Sequence, residues 1–358
     1  VALLFGGRSS EHSISCATAG GVLHAIDRDR FDVIPIGITG EGSFVLEDDD
    51  PAKFAIDASA MPRVLDNGTR IRWPDNAANR TLTVERADGS SMSLGEVDVV
   101  FPILHGRFGE DGTVQGMLEL LGLPFVGSGV LASALGMDKH FTKTVLLQAG
   151  IEVAPWTTVS ARQWADAPAL VTERASSLGL PAFVKPARAG SSVGVSRVTD
   201  WSELPAAMDI ALAEDDRVLI EEAIVGREVE CGVLEGRAGQ PPRVSVAGEV
   251  VMTGRDFYDF DAKYLGAAGI ELVCPAEMTD EQLATMQSIA ATAFEAIGGA
   301  GLARVDFFLT ERGFVVNELN TMPGFTPISM FPACWIASGM SYPQLIDELI
   351  DLALPNAA

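Results

Sequence analysis

The stretch RVDFFLTERGFVVNELNTMPGF, residues 304–325, sets Arg304, Asp306, Glu318 and Asn320 into two otherwise apolar runs. Side chains alternate faces along a strand, so Arg304 shares a face with Asp306, and Glu318 with Asn320. The intervening ERG reads as a three-residue hairpin loop with Gly313 in the left-handed region, which pairs Thr310 with Phe314 and brings Asp306 opposite Glu318. A two-residue loop would shift the pairing and separate the carboxylates. In the three-residue register Val305, Phe307, Val315 and Leu319 face a core, and the four polar groups look the other way. Two carboxylates and an amide oxygen make a hard oxygen site of the kind Mg²⁺ prefers, completed by water or phosphate. The same pattern also suits an amphipathic hairpin with a solvated face.

Other segments carry groups suited to phosphate and nucleotide. In VKPARAGSSVGV, Lys185 stands at a strand end six residues before Ser191, Gly190 and Gly194 let backbone approach an anion, and Ser191 and Ser192 add donors. That composition fits a lid over triphosphate oxygens, or an ordinary flexible hairpin; it is not a Walker loop, because the lysine precedes the glycines. In VLIEEAI…GRE, a strand edge offers backbone hydrogen bonds to a purine, Glu221 can accept from its amino group and Glu228 from ribose hydroxyls, although surface glutamates at a strand end would look the same. Glu11 follows a Gly-Gly turn at a helix start, where it suits either the helix dipole or a substrate ammonium. LHGRFGEDG puts His105 in a glycine-bounded loop at a strand end, without a neighbouring nucleophile motif, so it reads as a positioning group. GRDFYDFDAKYLGAAG reads as a long active-site loop able to carry Lys263 and Tyr264 across a cleft, or as a packed surface loop.

The chain must supply elements to hold these groups. At 358 residues, 47% of them hydrophobic, it has material for two or three domains. VALLF, GGRSSEHS and an apolar-periodic stretch through Val22 and Ile26 read as strand, turn and helix, and the rhythm continues to VDVVFPILHG and GTVQGMLELLG, indicating an open α/β domain. Residues 41–97 break it and read as irregular loops with a small hairpin. Helices follow PFVGSGV, with Val130, Leu135, Val145 and Leu146 as core positions; DRVLIEEAIVGREVECGVLEG reads as a strand pair around a glycine turn, and YPQLIDELIDLAL as a final helix. Boundaries fall near residues 128 and 222.

A net charge of −24 argues against nucleic acid or an anionic membrane as partner. No apolar run approaches the length of a membrane span, VALLFGG is too short for a signal peptide, and a cytoplasmic protein is expected. Cys16, Cys231, Cys274 and Cys334 are widely spaced, suggest neither zinc nor a disulfide framework, and read as small buried residues. The five lysines, Lys53, Lys139, Lys143, Lys185 and Lys263, stand out in a chain that otherwise uses arginine.

The segments GGRSSEHSIS, HGRFGEDGTVQG, KPARAGSSVGV, YDFDAKY and RVDFF…VNELNTMPGFTPISM, in this order and spread along the chain, resemble the D-alanine:D-alanine ligase family of the ATP-grasp superfamily. The resemblance implies an α/β protein with an N-terminal open parallel-sheet (preATP-grasp) domain, residues 1–127, then an ATP-grasp fold of two α+β subdomains, 128–222 and 223–358. It implies a cytoplasmic homodimer that joins two D-alanines through a D-alanyl phosphate for peptidoglycan synthesis, using ATP and two Mg²⁺ ions, replaceable by Mn²⁺. By the same resemblance, Lys139, Lys185, Ser192, Glu221, Glu222, Ile224, Glu228 and Lys263 bind ATP, and Asp306, Glu318 and Asn320 bind the metal. Glu11 takes the first D-alanine's ammonium, assisted by His105. Arg304 and the Gly324 N–H stabilise the reacting oxygens, Ser329 holds the second carboxylate, Lys263 reaches the transferred phosphate, and Tyr264 with Ser191 ties the lid to Glu11. Alternatives are a family member using D-serine or D-lactate as second substrate, or a nucleotide-binding regulator without catalysis. The loop tyrosine Tyr264 argues against D-lactate, and intact Arg304, Asp306, Glu318 and Asn320 argue against the regulator.

Overall fold

The computed structural model describes residues 1–56, 60–252 and 269–354. Strand β1 (Ala2–Gly6) is flanked by β2 (Ile34–Ile38), parallel to it, and β3 (Phe44–Leu46) adds an antiparallel edge. Strands β4 (Arg70–Arg72), β5 (Thr81–Glu85) and β6 (Ser91–Glu96) form a separate antiparallel sheet, and β7 (Val100–Ile103) returns to lie parallel to β1. The stretch 41–97 is therefore more regular than its composition suggests. Ile71, Leu82 and Val84 are buried in one core with Ala2 and Leu4, so tertiary packing organises strands that local turn residues obscure. At the carboxyl end of β1, Gly6 has φ +89°, and a Cβ there would lie 2.4 Å from the Ile38 carbonyl oxygen. The chain then enters helix α1 (His12–Ala25); helix α2 (Thr113–Leu120) follows β7.

Helices α3 (Val130–Met137) and α4 (Lys139–Gln148) pack against the largest sheet: Ala132 and Leu146 share a core with Val229, Val305 and Phe307. Leu146 is buried and Leu135 and Val145 are packed against that core, whereas Val130, expected inside, is 37% exposed because it opens the helix at its solvent side. Strands β8 (Trp156–Ser160), β9 (Ala182–Pro186), β10 (Ser196–Val198) and β11 (Arg217–Glu222) form an antiparallel sheet in the order β10-β9-β11-β8. The large sheet runs β14-β13-β12-β15-β16, with β12 at Arg227–Leu234, β13 at Arg243–Met252, β14 at Ile270–Val273, β15 at Leu302–Thr310 and β16 at Gly313–Asn320. β11 and β12 thus belong to different sheets; the glycine turn between them links the two sheets and does not close a hairpin.

The β15–β16 hairpin corrects the expected register in one place and restores it in another. Thr310 pairs with Gly313, so the turn has two residues, and Leu309 pairs with Phe314. A bulge at Asn317 then inserts one residue into β16, after which Asp306 stands opposite Glu318 and Arg304 opposite Asn320. The two shifts cancel. Between turn and bulge the faces are exchanged, so Val316 joins Val305, Phe307 and Leu319 in the core, while Val315 pairs with Phe308 and is buried on the other side.

The final helix spans Tyr342–Ala353 and buries Leu345, Ile346, Leu349 and Ile350 against β1 and α1 residues. Cys16, Cys231 and Cys334 are buried and Cys274 is half-buried; all are free thiols. Among the described residues no helix is long and apolar enough to cross a membrane.

Candidate active site

Two adjoining cavities lie where the three larger sheets meet, of about 120 Å³ and 160 Å³, and they share Lys139, Gly190, Ser191, Glu230 and Glu318. The first is lined by Glu11 and His105 from the N-terminal sheet, Arg304 and Asn320 from the hairpin, and Gly324 and Ser329 beyond it. The second is lined by Lys185, Ser192, Glu221, Glu222, Ile224, Glu228 and Asp306. Lys263 and Tyr264 lie outside the described residues.

The lid between β9 and β10 reaches the N-terminal domain. Ser191 and Ser192 have φ of +49° and +58°, a left-handed conformation that costs a non-glycine residue about 1–3 kcal/mol. Ser191 Oγ donates to Glu11 Oε1 at 2.6 Å, which closes the lid over the first cavity. Glu11 is the N-cap residue of α1 but makes no side-chain cap bond, so its carboxylate is directed into the site instead of onto its own helix. His105 is buried, and its Nε2 has no hydrogen-bond partner among the described residues. Burial drives the imidazole pKa below its ordinary value, against the pull of Glu11. A neutral ring in the lining of the cavity suits contact with a polar ligand atom.

On the wall formed by β9, β11 and α4, Glu221 is buried between two lysines: Lys185 Nζ lies 2.7 Å from Oε1 and Lys143 Nζ 2.8 Å from Oε2. Burial alone would raise the carboxyl; Lys185 and Lys143 reverse it and hold Glu221 below the usual carboxylate range. Burial also lowers the ammonium of Lys143, with Glu221 opposing. With both oxygens engaged, the Glu221 carboxylate fixes lysine geometry. Lys139 comes from the first turn of α4, where Asp138 caps the helix through His140 N and Phe141 N, and its Nζ donates to Ala189 O in the lid at 2.6 Å. Lys143 stands one turn further along α4, on the same face. Its spacing from Lys139 was visible in the sequence; what was not visible is that Glu221 would pair with it in the same wall.

On the opposite wall, Arg304 donates through Nε and Nη2 to the two oxygens of Asp306, each at 2.7 Å, and Nε also lies 2.9 Å from Glu230 Oε2. Asn320 Nδ2 is 3.1 Å from Asp306 Oδ2. Glu230 sits on β12 directly across from Asp306, so Glu230, Asp306 and Glu318 form one row over three strands. Residue type offered no signal for Glu230; only strand order reveals it. Among the described residues no three His, Cys, Asp or Glu side chains are drawn together as a finished metal site. The donor chemistry of Asp306, Glu318 and Asn320 nonetheless matches a hard divalent cation, and the first two face each other in register.

Ser329 N-caps the helix Met330–Ala337, and its Oγ contacts Thr326 N and Thr326 Oγ1 at 3.2 and 2.7 Å. Glu110 was not anticipated: it lines the first cavity and accepts from Gly106 N, and burial followed by the nearby Glu11 pushes its carboxyl well above the ordinary value.

Residues 1–128 match the family model for the D-ala D-ala ligase N-terminus, and residues 145–351 match that for the D-ala D-ala ligase C-terminus. The chain belongs to the D-alanine–D-alanine ligase family. Within that family it is 51% identical to the D-alanine–D-alanine ligase of Arthrobacter sp. (strain FB24), covering 99% of this chain and 94% of the relative. It is 52% identical to that of Kineococcus radiotolerans, covering 99% and 96%. The solved D-alanine–D-alanine ligase of Coxiella burnetii superposes with a TM-score of 0.82 at 35% identity over 99% of this chain and 93% of that one. VanG, the D-Ala:D-Ser ligase of Enterococcus faecalis, superposes equally well, at 0.82 and 34% identity over 98% of both chains. The fold is that of the ATP-grasp ligases, and fold alone does not separate the second substrates within the family.

Proposed function

We propose that this cleft joins two D-alanines in an ATP-dependent, ADP-forming ligation through D-alanyl phosphate, supplying dipeptide for peptidoglycan. The observation that carries the reading is the 2.6 Å contact from lid Ser191 to Glu11, which makes the lid, an ammonium-binding carboxylate and the Arg304 wall enclose one cavity. We divide the chain into 1–127, 128–222 and 223–358, with α3 and α4 bracing the second segment on the third.

A carboxylate is a poor electrophile, so its activation must precede amide formation. Glu11 holds the ammonium of the first D-alanine and His105 contacts it as a neutral group. The carboxylate oxygen of that D-alanine attacks the γ-phosphorus, ADP leaves, and the oxygen stays in the acyl phosphate. Lys139 and Lys185 draw the phosphate oxygens to the nucleotide wall. Glu222, Ile224 and Glu228 line the purine and ribose end. The free amine of the second D-alanine, its carboxylate beside Ser329, then attacks the acyl carbon. Arg304 and the Gly324 N–H stabilise the oxyanion before phosphate departs. The closed lid, Ser191 and Ser192 included, keeps water from hydrolysing the acyl phosphate. Lys263 and Tyr264 complete the proposal from a segment outside the described residues. Asp306, Glu318 and Asn320 would hold Mg²⁺, which supplies charge compensation for phosphoryl transfer.

D-alanine labelled with ¹⁸O in its carboxyl group tests the sequence of bonds. Phosphate containing one ¹⁸O atom from D-alanine is expected; unlabelled phosphate accompanying dipeptide would overturn the acyl phosphate route.

A further inference from the structure

The fork between Arg304 and Asp306 poses a conflict for the metal site proposed above, on which this inference rests. Both oxygens of Asp306 are engaged by the guanidinium, at 2.7 Å each. A divalent cation drawn to the same carboxylate would meet a positive group at the positions it needs, and like charges repel. The guanidinium must therefore yield as the cation arrives. Arg304 is largely enclosed in the wall, with 14% of its side chain exposed, and there a charge that leaves its partner without gaining another is disfavoured. Glu230 resolves this. Its Oε2 already lies 2.9 Å from Arg304 Nε, and its Cα is paired with that of Asp306 on the neighbouring strand, so the guanidinium can release Asp306 by a small rotation while staying bonded. Glu230 is itself buried, and the backbone that carries it is held in β12 between β13 and β15.

We infer that Glu230 is a positioning residue that keeps Arg304 at the acyl oxygen when Asp306 turns to a divalent cation. It acts on the metal through Arg304. The carboxylate that binds the cation is Asp306, and Glu230 sets how readily Asp306 becomes available.

The test is a titration of Mn²⁺ into the full chain with ADP, followed by the loss of the free-ion electron paramagnetic resonance signal. Asp306→Asn should weaken Mn²⁺ binding, which checks the metal reading independently. Glu230→Gln, similar in size, should weaken it roughly 10- to 100-fold, the range for partners that orient a metal ligand. Arg304→Met should bind Mn²⁺ at least as tightly as the unaltered protein, because Asp306 is released, while dipeptide synthesis is lost. In that Arg304→Met background, adding Glu230→Gln should change nothing further, and this comparison stands even if Glu230→Gln alone folds poorly. Unaltered Mn²⁺ affinity in Glu230→Gln, or an added loss in the double variant, would overturn the inference. Unaltered affinity in Asp306→Asn would remove the metal site itself and the inference with it.

Discussion

The two walls of the cleft carry ion clusters of opposite construction. On one, the single carboxylate of Glu221 is held between the ammonium groups of Lys143 and Lys185; on the other, the single guanidinium of Arg304 is held between the carboxylates of Asp306 and Glu230. In each case the group of minority sign is the one in the middle. Isolated buried charges are costly, and a shared counter-ion lets a dehydrated wall keep a chosen polarity. The first arrangement leaves its wall with an excess of positive charge, and the second leaves its wall with an excess of negative charge. Charge segregated between two sheets lets a strongly acidic chain present a locally basic wall, irrespective of its net balance.

Substitutions can break or sharpen this contrast. The largest effect is expected on the carboxylate wall: Glu318→Gln should lower D-alanine-dependent turnover by at least about a hundredfold without loss of the folded far-ultraviolet dichroism. Near-normal turnover at saturating Mg²⁺ would remove Glu318 from the site. Inserting one alanine between Asn317 and Glu318 tests the geometry behind that wall, because the added residue moves Glu318 one place along β16 and so out of register with Asp306. Turnover and Mn²⁺ affinity should fall together by roughly tenfold or more, and retention of both would show that the facing of Asp306 and Glu318 is dispensable.

On the lysine wall a milder result is expected. Lys143→Met leaves Glu221 with Lys185 as partner, so chemical denaturation should report a loss of about 1–3 kcal/mol, together with a several-fold rise in the KM for ATP. An unchanged denaturation midpoint would mean that the buried pair contributes nothing net. The smallest effect at any single pH concerns Glu110, whose carboxyl is raised by burial and by Glu11. The folded state therefore keeps a proton that the unfolded chain releases above its ordinary value, and stability should fall as pH rises from there toward the raised folded value, by up to about 1.4 kcal/mol per pH unit. Glu110→Gln should remove that slope; a parallel pH profile for both proteins would contradict the shift.

The hairpin shows how far the sequence could be read. Period-two alternation identified both strands and the polar face, and Asp306 does stand opposite Glu318, yet the turn length was misjudged and a bulge compensated for it. A bulge leaves little trace in residue types, since Asn317 is as ordinary in a turn or a strand end. The alternation of 304–320 was legible because one face is buried; residues 70–96 were not, because Gly, Asn and Asp dominate the connections between their short strands. Rarity drew notice to all five lysines, and the family resemblance gave Lys139 and Lys185 a role. Lys143 and Glu230 escaped because their meaning depends on partners 78 and 74 positions away, brought close only by sheet order.

The measurement closest to the central claim is phosphate release from ATP and Mg²⁺ with D-alanine alone, and in competition with D-serine or D-lactate, with product masses determined. The account predicts D-alanine-dependent phosphate and D-alanyl-D-alanine as the dominant product. Folded, ATP-binding protein that releases no D-alanine-dependent phosphate, or a mixed product dominant over the dipeptide, would contradict it.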